Sequence, residues 1–193
     1  MKDFIVETSA RHVHLTKEDF QILFGEGKEL TVKKMLSQPG QFASNERVTL
    51  VGPKSKIERV LILGPFRDKS QVELSKTDLR TLGIEAPVNL SGDLTNAGSV
   101  KIVGPNGEIE LKQNVVVPKR HIHMTTKDAE NFNVEDGESV MVKIESPERA
   151  LIFDECIVRV NDNFSLAMHI DTDESNAANA DMNTRGSIVE YAE

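Results

Sequence analysis

The chain has 193 residues, 38% of them hydrophobic and 28% charged, with 23 Lys and Arg against 31 Asp and Glu for a formal net charge of −8. That balance excludes disordered and fibrous classes. With no Trp and one Tyr, the chain also lacks the basic stripe and the stacking surface of a nucleic-acid binder.

Taken in order, residues 1–10 contain no apolar stretch of the kind a secretory signal needs and read as a first strand. Thr16, with Asp19 three residues on, caps an expected helix over Lys17–Phe24 that continues near 32–36. Strands follow at 47–51 and 57–63, rich in Val, Ile and Leu and ended by Gly52-Pro53 and Gly64-Pro65. Residues 71–75 alternate as a further strand, 76–80 form a polar stretch, and 91–98 read as an ordered loop. Asn106-Gly107 is a hairpin signal. Thr125 and Asp128 then cap a second helix over Thr126–Phe132, before strands at 139–144, 150–160 and 167–171. No apolar run approaches the ~18 residues of a spanning helix. The single cysteine, Cys156, excludes an internal disulfide, fits a reducing cytoplasm, and sits in an apolar segment that reads as core.

Ser9-Ala10-Arg11-His12-Val13-His14-Leu15-Thr16 is echoed 109 residues later by Pro118-Lys119-Arg120-His121-Ile122-His123-Met124-Thr125. The echo extends to the helices and strands behind it, so the expected fold is mainly β with short helices. It forms two β-barrel-like domains related by an internal repeat, 1–100 and 101–193. Four of the five histidines lie in the two His-x-His pairs. In a strand, residues i and i+2 share a face and sit about 6.6 Å apart, so two imidazoles can converge on one metal ion. Aligning 71–75 with 167–171 sets Glu73 against His169, each flanked by apolar neighbours on the opposite face. The repeat thus yields two three-ligand sets, His12, His14 and Glu73, and His121, His123 and His169, each with a position open for water or substrate. No nucleophile triad, P-loop or dinucleotide fingerprint is present.

The two Arg-His-x-His-x-Thr blocks, Gly64-Pro65-Phe66-Arg67 followed by Gln71-Val72-Glu73, and Ser91-Gly92-Asp93-Leu94 together resemble the PduL-type phosphotransacylases. That family comprises phosphate propanoyltransferases and acetyl-utilising relatives. The resemblance implies a two-zinc active site held by the two sets above, and reversible acyl exchange between coenzyme A and phosphate. It also implies Arg67 as the phosphate-binding residue, and Glu7, Thr8, Ser9, Lys54 and Asn176 around coenzyme A. Where the family often has an arginine six residues before Arg67, this chain has Leu61, and Arg59, two residues back on the same strand face, is a candidate substitute. Acyl-CoA and phosphate are the expected partners, with no nucleic acid and no membrane, and a homo-oligomer is left open. A cytoplasmic location is expected over a microcompartment lumen, since residues 1–10 read as a strand and not a targeting helix. The alternatives are a cupin-like metal-binding protein, whose first motif His12-x-His14-x₃-Glu18-x₆-Gly25 would match, and a non-catalytic metal-binding module.

Overall fold

Short alternating runs broken by Gly, Pro and Asn build strands too short to bury a core singly, so they close on one another. The structure, a computed structural model, describes residues 2–189. Its elements begin with β1 (Phe4–Thr8), β2 (His12–His14), α1 (Lys17–Phe24), β3 (Val32–Met35), β4 (Phe42–Val51) and β5 (Lys56–Gly64). They continue with β6 (Gln71–Glu73), α2 (Lys76–Leu82), β7 (Val88–Asn89), β8 (Gly98–Val103) and β9 (Glu108–Pro118). The remainder is β10 (His121–Met124), α3 (Thr126–Phe132), β11 (Ser139–Glu145), β12 (Leu151–Val160), β13 (Ala167–Ile170), α4 (Thr172–Ala178) and β14 (Arg185–Val189). No helix among the described residues is long and apolar enough to cross a membrane.

The first compact unit is Ala10–Pro118. Within it β2 lies between β5, which is parallel, and β6, which is antiparallel. Pairings β6–β9, β9–β8, β8–β4 and β4–β5 then close a six-strand ring. β3 is attached to β4, and β7 to β9, outside that ring. Alternate side chains fill the interior: Val13, Val48, Ile62, Val72, Ile102 and Val115 are all buried in one cluster.

The second unit joins the chain up to Ser9 with the segment from Lys119 onward. Its closed barrel runs β1-β13-β10-β12-β11-β14. β10 lies between parallel β12 and antiparallel β13, as β2 lies between β5 and β6. β1 pairs parallel with β13 and antiparallel with β14, as β9 does with β6 and β8. Phe4, Val6, Ile122, Val142, Val158 and Met168 belong to its core. The 109-residue offset therefore reaches back to β1: Val6 and Val115 are equivalent, set opposite Met168 and Val72. Each barrel is closed by the strand that immediately precedes the other barrel's His-x-His. Even the irregularities repeat, since Arg59 in β5 and Glu155 in β12 both hold left-handed backbone, with φ of 60° and 52°.

Three expectations are corrected. The boundary at residue 100 falls inside β8, whose Val100 and Ile102 are part of the first core together with Leu111 and Val115 of β9. Residues 2–9 move to the second barrel because β13 and β14 supply the hydrogen-bonding edges of β1. Residues 32–35 are an edge strand with all four side chains exposed, not a helical continuation; the chain has already turned at Gly25 and Gly27. α2 and α4 were not anticipated.

Candidate active site

Because Val13, Ile62 and Val72 point inward, His12, His14 and Glu73 point to the barrel's outer face, yet all three are buried. The strand register brings His12 opposite Glu73 and His14 opposite Gln71. The two imidazoles meet edge to face with centroids 4.9 Å apart. The ligand atoms of His12, His14 and Glu73 all lie within 4.8 Å of one another.

Each donor is aimed. His12 Nδ1 bonds the Ala10 carbonyl at 2.9 Å, and Nε2 faces Glu73 Oε2 at 3.3 Å. Glu73 Oε1 accepts from Ser91 Oγ at 2.6 Å and from Gln71 Nε2 at 2.7 Å, so one carboxylate oxygen is tied down and the other is left to the site. Gln71 in turn accepts from the Gly92 backbone N–H. Burial would raise the Glu73 carboxyl, but the charge and hydrogen bond of His12 hold it far below the usual carboxylate range. Burial pulls His12 down, and Glu73 outweighs it, leaving His12 raised; burial, His12 and Arg67 drive His14 well below 6.5.

The second set repeats this plan with different chemistry. His121 Nδ1 bonds the Lys119 carbonyl at 2.8 Å. His121, His123 and His169 stand with ring centroids 4.7, 4.8 and 5.3 Å apart. His169 Nδ1 faces Glu7 Oε2 at 3.7 Å. Burial, reinforced by His121, His169 and Arg159, lowers His123 to about 2, so its imidazole is neutral, as a metal ligand must be.

One observation tests whether these residues fit metal. His14 Nδ1 and His123 Nδ1, at equivalent positions, are buried without any hydrogen-bond partner. A buried polar nitrogen lacking a partner is costly and rare. Two of them on matched strands, beside first histidines whose Nδ1 is already engaged, fit an N/N/O and an N/N/N donor set for zinc.

The arginine preceding each pair is also explained. Arg11 bonds Asp78, the N3 residue of α2 capped by Ser75, and Arg120 bonds Glu174, the N3 residue of α4 capped by Asp171. Each ion pair ties the first-histidine strand to the helix behind the third ligand. Arg67 stands at the turn after β5, its backbone N–H bonded to the Leu15 carbonyl and its guanidinium reaching Ser91 Oγ at 3.4 Å. Gly64 opens that turn, where a Cβ would lie 2.2 Å from the Phe42 ring.

Of the residues expected around coenzyme A, Glu7, Thr8, Ser9 and Asn176 belong to the second unit and Lys54 to the first. Thr8 Oγ1 bonds Ser175 Oγ, and the Ser9 N–H bonds the Ile170 carbonyl. Lys54 is exposed at the turn after β4, and Asn176 is exposed on α4. Arg59 sits on the bulge of β5, so a two-residue spacing does not carry it to Leu61's face. Glu18 is exposed in the first turn of α1, away from the hairpin that a cupin motif requires.

The profile of the phosphate propanoyltransferase family matches residues 5–181. The phosphate propanoyltransferase of Thermotoga maritima is 51% identical over 187 residues, covering 97% of this chain and 89% of that protein. That of Clostridioides difficile is 52% identical with the same coverage, and that of Listeria monocytogenes 48% identical over 95% of this chain and 86% of its own. This chain is an acyltransferase. It belongs to the phosphate propanoyltransferase family.

Proposed function

We propose that the chain catalyses acyl-CoA + phosphate ⇌ acyl phosphate + CoA for a short acyl group, propanoyl or acetyl, with one zinc ion in each ligand set. The observation that carries this reading is the pair of unpartnered Nδ1 atoms, His14 and His123, in ligand sets of which the first lies beside Arg67. Zinc in such sites supplies Lewis acidity toward carbonyl and phosphate oxygens. Arg67 holds phosphate through the planar fork of its guanidinium. Orientation by the protein then sets a phosphate oxygen against the thioester carbonyl carbon. The C–O bond forms, the tetrahedral adduct collapses, the C–S bond breaks, and coenzyme A leaves as thiolate to be protonated by solvent. Attack is direct. The chain's one thiol, Cys156, is wholly buried and pushed up to about 12 by that burial, so it offers no thiolate for an acyl-enzyme.

Thiol release from propanoyl-CoA and acetyl-CoA, with and without phosphate, tests the reading alongside elemental analysis of untagged protein. The expected result is phosphate-dependent release with two zinc ions per chain. Release independent of phosphate, or full activity at near-zero metal, overturns it.

A further inference from the structure

The first ligand set has a guanidinium beside it that arrives from the turn after β5, Arg67. In the second barrel the residue at the same distance before the third ligand is Asn163. A different arginine stands near that set. Arg159 on β12 is in register with His123 on the adjacent parallel strand β10, and the two therefore share the barrel's outer face. Its guanidinium carbon lies 5.9 Å from the Phe164 ring centroid, and that ring is 4.2 Å from the His123 ring. By the strand register, its counterpart in the first barrel is Leu63.

Most arginines of this acidic chain have an evident employer. Arg11, Arg120 and Arg185 pair with Asp78, Glu174 and Asp3, and Arg149 donates to the Asn176 carbonyl. Arg159 is half-buried, and among the described residues no carboxylate or carbonyl accepts from it. A partly desolvated guanidinium with its N–H donors uncommitted, packed on the Phe164 ring beside His123, suits the anionic oxygens of a ligand.

We propose that Arg159 is a second anion-recognition residue, supplied by the second barrel, that binds phosphoryl oxygens of a substrate. This rests on the acyl-transfer reading only for the identity of the substrate. Inorganic phosphate and the phosphates of coenzyme A present the same chemistry, and two arms separate them.

The experiment measures binding of inorganic phosphate, and separately of coenzyme A, to the metal-loaded protein by calorimetry. The proteins are wild type, Arg159→Gln and Arg159→Lys, with metal content and melting temperature recorded for each. Steady-state KM values for phosphate and acyl-CoA accompany them. Loss of one charge-assisted contact predicts roughly tenfold weaker binding of one of the two ligands by Arg159→Gln, with partial recovery in Arg159→Lys. A loss confined to phosphate assigns Arg159 to the attacking anion, and a loss confined to coenzyme A assigns it to the coenzyme. Unchanged affinity for both, or no binding of either by wild type, overturns the proposal and leaves Arg159 as packing on Phe164. A protein that binds phosphate through Arg159 but transfers no acyl group would sink the proposed reaction and leave this inference standing.

Discussion

The two barrels share a plan down to their bulges, and they differ where the chemistry sits. In the first, a carboxylate completes the proposed ligand set and is held by Ser91 and Gln71 from a loop and its own strand. In the second, a third imidazole takes that place, and the nearby carboxylate, Glu7, stands behind it as an outer partner. One negative charge has moved from ligand to support. A duplicated scaffold can thus keep ligand geometry while altering the charge that each set presents to an anionic substrate.

The sharpest way to break the comparison is to remove one matched ligand from each barrel. His14→Ala and His123→Ala should each lower activity by more than about 100-fold, since even outer-shell changes at metal sites cost 10–100-fold. Each should lose one metal equivalent and stay folded, because both cores lie on the inner faces. A single ion in the wild type, lost in one variant and kept in the other, would show that only one set binds metal.

Arg67 comes next. Arg67→Ala should reduce kcat/KM for phosphate by roughly 100-fold, as loss of a preorganised donor does at other acyl-transfer sites. Arg67→Lys should recover part, with metal content unchanged. Arg80→Ala, exposed on α2, serves as the control and should match wild type. A full-rate Arg67→Ala enzyme would return that residue to an ordinary turn arginine.

A smaller effect separates the two kinds of support. Ser91→Ala should weaken metal binding at the first set by about tenfold, and Glu7→Gln should do so at the second, both read by chelator competition. If both variants weaken the same site, the division of roles is wrong. The least perturbing test is alkylation of Cys156. At pH 8 the native protein should resist iodoacetamide and stay active, because a thiol raised to about 12 is almost wholly protonated; unfolding should expose one reactive equivalent.

The clustering of the histidines was easier to read from the sequence than the topology was. His12, His14 and Glu73 were legible because a period-two strand and a repeat each constrain them independently. Thr16 and Thr125 were legible as caps, and both accept from the N3 backbone N–H as expected. α2 and α4 also carried a signal, the capping boxes Ser75 to Asp78 and Asp171 to Glu174, hidden by the polar residues around them. The exchange of β1 had no local signal at all, because strand pairing at long separation leaves no periodicity behind. The work of Ser91 and Gln71 was invisible for a similar reason: twenty residues separate two side chains that meet on one carboxylate.

The exchanged strand bears on how the chain is made. Val6 pairs opposite Met168, which is translated 162 residues later. At an elongation rate of 5–20 residues per second that interval is about 8 to 32 s. During it the first barrel, whose strands are complete at Pro118, can close behind the ribosome. The segment Phe4-Ile5-Val6-Glu7-Thr8 meanwhile hangs from the nascent chain as an unpaired apolar strand. It is an obvious substrate for a chaperone or for mispairing with a neighbouring polypeptide. Rates of synthesis therefore bear on the yield of the second barrel far more than on that of the first.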